Sequence, residues 1–202
     1  MTTPATLELL DWADSVTLPD GGLPFALPIA DPGASSLQIT AAAAAQAHRA
    51  GRFDTEVREH PWTVRATRYC LGEISRIEEV PFAYVLFFAL GFLDAAADTH
   101  PEAREQRRRL ARFVPADGAI AVEGGAEGET LHLLDLAPFP DDPVRELLDD
   151  AAVARDLDRL ERGRRPDGGW AVDFGSYSEA AALEWRGYAT VSGVAVLRAN
   201  GR

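Results

Sequence analysis

Lysine is absent from this 202-residue chain, and every basic side chain in it is arginine. Without a lysine amine there is no Schiff-base nucleophile, no pyridoxal phosphate anchor and no P-loop lysine. Cysteine is nearly as scarce. Cys70 stands alone, which excludes an internal disulfide and any cluster of zinc-binding thiolates. Positive charge is short overall, and the formal net charge of −12 argues against nucleic acid as a partner. Such partners require a basic surface that displaces counterions, and an anionic membrane surface is disfavoured for the same reason. Long apolar runs are missing too. The most apolar stretch, Phe82 to Leu93, is too short to span a bilayer and predicts a buried helix. The start, Met1-Thr2-Thr3-Pro4, has no basic region leading into an apolar core, so no signal peptide is expected and a soluble, cytoplasmic protein is.

The usual chemical signatures are also absent. There is no Gly-rich dinucleotide fingerprint, no nucleophile elbow and no Ser–His–Asp order. The glycines of Gly124-Gly125-Ala126-Glu127-Gly128 follow no strand of a parallel β unit, so no phosphate cradle is expected there. None of the four histidines, His48, His60, His100 and His132, has another three or four residues away, and no metal is expected. No cofactor is expected either.

What the chain does contain is a repeated loop. Arg165-Pro166-Asp167-Gly168-Gly169-Trp170 has an earlier copy in Leu18-Pro19-Asp20-Gly21-Gly22-Leu23 and a degenerate one in Pro115-Ala116-Asp117-Gly118-Ala119-Ile120. Each follows a helical pattern and turns on Asp–Gly before an apolar residue, which points to a repeated helix–loop–helix unit. Four helices are predicted to start with proline in their first turn, at Pro4, Pro61, Pro101 and Pro143. In the second, Trp62, Ala66, Tyr69, Cys70 and Ile74 share a face. In the fourth, Val144, Leu147, Leu148, Ala151, Ala154, Leu157 and Leu160 do so, with Gly163 as the terminating glycine and Asp142 as N-cap. His60 and His100 precede their prolines as caps. Between these outer helices lie four stretches with less polar faces: about Ser36–Ala50, Pro81–Ala97, Glu127–Leu134 and Ser178–Ala199. They read as inner helices packed on both sides. The expected fold is all-α, a single domain of roughly four helical hairpins repeating within the range of known helical repeats.

The segment Leu160 to Trp170, with Val172-Asp173-Phe174, Ser176-Tyr177-Ser178 and Leu183-Glu184-Trp185-Arg186-Gly187-Tyr188-Ala189-Thr190, resembles the QW repeat of the terpene cyclase and protein prenyltransferase superfamily. So does Glu123 to Leu131. The resemblance loosely covers the whole chain and is specific over its last forty or so residues. In that family a helix ends in Gln before a Gly–x–Trp turn; here Arg164 stands at the Gln position. The resemblance implies an α/α toroid, and since full toroids use more hairpins, the ring would be open, small or completed by a second copy of the chain as a homodimer. The superfamily's acid motifs are missing. Asp149-Asp150 and Asp156-Leu157-Asp158 do not fit Asp–x–Asp–Asp, and Asp141-Asp142-Pro143 lacks the third acid of Asp–Asp–x–x–Asp. Cys70 has no histidine nearby for a zinc site and reads as a small core residue.

In that architecture the inner-helix N-termini would form a ligand mouth facing Gln38, Glu127, Glu129, His132, Asp173, Tyr177, Glu184, Trp185 and Arg186. Glu127, Glu129 and Asp173 are the candidate catalytic acids. Gln38, His132, Tyr177, Glu184, Trp185 and Arg186 are the candidate ligand contacts. Glu184 and Arg186, two residues apart, cannot pair on one helix face, so each needs a partner elsewhere. Two functions stay open. One is a terpene cyclase-like or prenyltransferase-like protein acting on or binding an isoprenoid-like molecule in an axial apolar pocket. The other is a non-catalytic module for a hydrophobic ligand or protein partner. An apolar cavity beside one deeply buried acid favours catalysis, whereas exposed acids favour binding.

Overall fold

The computed structural model describes residues 4–25, 31, 33–172, 175, 176 and 178–202. It is all-α apart from a two-stranded hairpin, and divides into two compact units, Met1–Leu110 and Ala111–Arg202. The first unit contains α1 (Pro4–Ser15), α2 (Leu37–Gly51), the short α3 (Thr55–Glu59), α4 (Pro61–Ser75), α5 (Ala83–Ala96) and α6 (Pro101–Ala111). The helices begin where capping chemistry places them. Ser36 Oγ accepts from Ile39 N to start α2, and His60 Nδ1 accepts from Trp62 N to start α4 behind Pro61.

Packing in this unit follows side-chain size. The buried face of α2 is Ala41, Ala44, Ala45 and Ala47, small enough to let α5 lay Leu86, Ala89, Leu90 and Leu93 against it. On α4 the expected face is buried at Trp62, Ala66, Cys70 and Ile74, with Tyr69 half-buried at its edge. Burial pushes the Cys70 thiol well above its ordinary range, as suits an inert core residue. Two polar devices fix α6. Arg109 donates from Nη1 to Ile77 O (2.6 Å) and from Nη2 to Ile74 O (2.5 Å), satisfying carbonyls at the end of α4. Arg107 Nη1 meets Asp94 Oδ1 on α5 at 2.9 Å, with both side chains almost wholly buried.

His48 lies inside this unit, 6% exposed. The Thr67 hydroxyl donates to Thr63 O (2.7 Å), so its oxygen is left to accept from His48 Nε2 at 2.8 Å. That leaves a neutral imidazole packed edge-on to the Phe92 and His100 rings, 5.7 and 5.4 Å between centroids. Burial, then His100 and Arg52, pull its pKa down from 6.5 to about 4.

The second unit departs from expectation at two places. The helix predicted near Glu127–Leu134 is instead a hairpin, β1 (Ile120–Ala121) paired antiparallel with β2 (Thr130–Leu131), then a single turn, α7 (Leu133–Leu136). Gly124 and Gly128 take positive φ (74° and 80°), which closes the hairpin loop and stops a helix from starting. The helix predicted from Pro143 is a 3-10 turn, Pro143–Leu147, and α8 (Asp150–Arg162) begins afresh after Asp149, whose Oδ1 accepts from Ala152 N. Asp142 does not cap a helix; its Oδ2 accepts from Phe139 N and closes the preceding turn. The restart shifts the helical phase. Ala152, Val153, Asp156 and Leu157 are therefore buried, and Ala151 and Ala154 of the expected face are exposed. The last helix, α9 (Glu179–Ala199), runs 21 residues behind the N-cap Ser178.

The repeated loop is the same device in both units. Leu18 N donates to Gly22 O and Gly21 N to Leu18 O, with Gly22 N on Asp20 Oδ1. Arg165 N donates to Gly169 O and Gly168 N to Arg165 O, with Gly169 N on Asp167 Oδ1. Gly21 and Gly168 sit at φ 94° and 87°, where a side chain would be strained. The next residue enters the core and gives its N–H to a helical threonine: Leu23 to Thr40 Oγ1 (2.8 Å), Trp170 to Thr190 Oγ1 (3.0 Å). Each threonine hydroxyl donates to the carbonyl four residues back, Ser36 O and Arg186 O. In the degenerate copy Gly118 N still reaches Pro115 O and Ala119 N still reaches Asp117 Oδ1. Pro115, however, has no N–H for the closing bond, and Ile120 pairs with Leu131 across the hairpin instead of with a helix.

Replacing either threonine with valine keeps the shape and strands a buried N–H. Thr40→Val and Thr190→Val should each lower unfolding free energy by about 1–3 kcal/mol, read by chemical denaturation, and a loss below about 0.5 kcal/mol would refute the staple.

The depressed His48 pKa fixes a sign. The unfolded chain takes up a proton below pH 6.5 while the fold resists until about 4, so His48 costs stability as pH falls through that window. The full effect is about 3 kcal/mol. His48→Gln should flatten this part of the stability–pH curve relative to wild type, and parallel curves would disprove it.

Candidate functional site

The hairpin loop carries the densest group of predicted polar residues, and the structure gives them local work. Glu129 Oε2 accepts from Ala126 N (2.8 Å), tying the loop to itself, and a side chain on Gly125 would collide with that carboxylate. Glu127 is exposed at the loop tip. Glu129 itself is half-buried. Gln38 belongs to the first unit, half-buried in the first turn of α2. Asp173 and Tyr177 lie outside the described residues.

His132 is placed differently, beside an acid that the sequence reading passed over. Asp156 on α8 is 7% exposed. Its Oδ2 accepts from Leu134 N (2.9 Å) at the start of α7, and its Oδ1 from Arg159 Nε (2.6 Å). His132 Nδ1 stands 4.0 Å from Oδ1, and Asp135 Oδ2 takes His132 N at 2.7 Å. With a backbone donor on one oxygen and a guanidinium on the other, Asp156 serves as a staple between α7 and α8. Asp156 was legible in the sequence only as one acid of a failed motif. Its buried position emerges from the phase shift at Asp149. Among the described residues no group of three His, Cys, Asp or Glu side chains is arranged to hold a metal ion. An open depression of about 410 Å³ is lined by Asp158, Glu161 and Arg162, and Arg202 already pairs with both of its acids.

Glu184, Trp185 and Arg186 fall on the N-terminal half of α9 and do not act together. Arg186 Nη2 reaches Asp167 Oδ2 (2.6 Å) in the staple loop. Hydrogen bonding from Gly169 N, then this guanidinium, holds the Asp167 carboxyl below its usual range. Glu184 is exposed. Trp185 packs its ring edge-to-face with Tyr188 at 5.7 Å. The α9 face toward its own unit is built around Trp170, whose indole donates to Leu160 O (2.7 Å) and lies against Gly193, where a Cβ would come within 3.1 Å of the ring. Arg164, at the expected Gln position, places its guanidinium over the indole 5.9 Å away and donates to Gly168 O. The opposite face is the unexpected one. Leu183, Tyr188 and Val191 are 63%, 68% and 73% exposed, so α9 is not packed on both sides as an inner helix would be. Apolar residues gathered on one exposed face mark an interaction site more often than scattered ones do.

The chain matches no protein-family model, and no curated protein and no solved structure is significantly similar to it. Among the described residues no helix is long and apolar enough to cross a membrane.

Removing the Asp156 carboxylate should separate structure from chemistry. Asp156→Ala strands Leu134 N–H and should cost about 2 kcal/mol, whereas Glu127→Gln, exposed and unbonded, should stay within about 0.5 kcal/mol of wild type. Equal unfolding midpoints for the two variants would refute the assigned roles.

Proposed function

We propose that the chain is a non-catalytic binding module that docks an apolar partner on the outer face of α9. The observation that carries this reading is the exposure of Leu183, Tyr188 and Val191 together on one helix. Burial raises the Asp135 carboxyl above its ordinary range, but its Oδ2 already accepts from His132 N at the start of α7. Glu127 and Glu184 are solvated, and Glu129 and Asp156 already have hydrogen-bond donors on their carboxylates. General acid catalysis on an alkene or a prenyl ether requires a proton held on an acid of raised pKa next to an apolar substrate. The resemblance to the QW-repeat superfamily fits such a module as well as it fits an enzyme, since fold carries architecture and not reaction.

The test uses the whole chain in dilute solution, where any self-association is dissociated. Wild type should bind an uncharged apolar dye such as Nile red, and the double variant Leu183→Asp, Val191→Asp should lose that binding with an unchanged unfolding midpoint. Dye binding untouched by the double variant sinks the proposal. So does turnover of a prenyl diphosphate that Glu127→Gln or Asp173→Asn abolishes.

A further inference from the structure

We infer that the outer face of α9 pairs with the same face of a second copy, antiparallel and centred on Val191; this rests on the binding reading above and names its partner. At helical spacing the face presents Glu184, Gly187, Tyr188, Val191, Ala195 and Arg198, all exposed. Its order is close to symmetric about Val191. Four residues to either side stand Gly187 and Ala195, both small. Seven residues to either side, two helical turns or about 10 Å along the axis, stand Glu184 and Arg198.

Two such faces meeting antiparallel bring each Glu184 opposite Arg198 of the partner subunit, and two-fold symmetry makes the contact twice. Gly187 and Ala195 allow the backbones to approach on both sides of a Val191–Val191 contact, while Tyr188, braced by Trp185, covers the margin. Parallel pairing would set Glu184 against Glu184 and Arg198 against Arg198. Like charges in contact select against that arrangement.

Charge also favours a second copy over a foreign partner. The chain carries 32 acidic against 20 basic side chains, and a surface typical of it would repel its own kind. This face holds one acid and one base, so its charge cancels against itself. A site for a basic partner would keep the acidic excess.

Sedimentation of the whole chain over a range of concentrations tests the pairing by charge reversal. Wild type should dimerise. Glu184→Arg alone and Arg198→Glu alone should each weaken association roughly tenfold or more, since each creates two like-charge contacts per dimer. An equimolar mixture of the two variants should dimerise as wild type does, because every reversed side chain then faces its opposite. Both variants should keep the wild-type unfolding midpoint, as the positions are exposed. A wild-type chain of single-copy mass at every concentration overturns the inference. So do single reversals that leave association unchanged, or a mixture that fails to recover it. Dye binding that persists in a strictly monomeric wild type, and is lost in Leu183→Asp, Val191→Asp, would show that the dimer reading has failed and the binding reading has not.

Discussion

Everything in both units hangs on one requirement: a chain that turns on Asp–Gly and dives into the core carries an amide N–H with it. That donor is buried with the apolar side chain behind it, Leu23 in one unit and Trp170 in the other. Left alone it would cost as much as a lost core methylene or more. Thr40 and Thr190 supply the acceptor. A helical threonine is well suited because its own proton goes to the carbonyl four residues back, which fixes its oxygen with lone pairs outward. The bond therefore sets both the position and the rotation of the next helix. The degenerate copy proves the constraint by solving it differently. Pro115 removes the closing N–H, the loop leads into a strand, and Ile120 finds its partner in the ladder opposite Leu131.

Once the loops have set the helices, the buried charges complete them. Asp94 and Arg107 join α5 to α6, Arg109 closes the end of α4, and Asp156 joins α8 to the start of α7. Each of these groups is paired because an unpaired charge inside would undo the packing around it. The same logic decides what the chain has left for chemistry. A carboxylate whose oxygens are taken up by donors is committed to holding the fold. Of the remaining acids, Glu127 and Glu184 stand exposed on the surface.

Most of the helices were legible because their start signals are local. Pro4, Pro61 and Pro101 each open a helix, and the buried face of α4 follows from spacing alone. The repeated loop was legible for the same reason, being six adjacent residues. Its threonine partners were not, since nothing near Thr40 or Thr190 distinguishes them from any other helical threonine. Two elements were misread in their secondary structure. The hairpin at Ile120–Leu131 has the apolar content of a helix, and only the positive φ of Gly124 and Gly128 rules one out. The restart of α8 was missed because Asp142, in front of Pro143, reads as the N-cap of one continuous helix, whereas Asp149 is the residue that caps. With that restart, Asp156 falls on the buried face of α8. Of the candidate site, the local role of the Gly-rich loop residues could be weighed from sequence; burial at His132 and Asp156 depended on long-range packing.

The most telling misreading is α9. A helix with apolar residues around its whole circumference reads as buried on both sides, and its inner face meets that expectation through Trp170, Gly193, Val196 and Leu197. Its outer face has the composition of a buried surface and the exposure of a free one. A helix of 21 residues does not keep Leu183, Tyr188 and Val191 in water for its own stability, since α8 and the Trp170 staple already hold it. On the reading proposed above, the apolar pattern describes a second contact that lies beyond the unit itself. Its near-symmetry about Val191, with an acid and a base equidistant from the centre, narrows that contact further: a sequence matched to an unrelated surface has no reason to complement its own reverse.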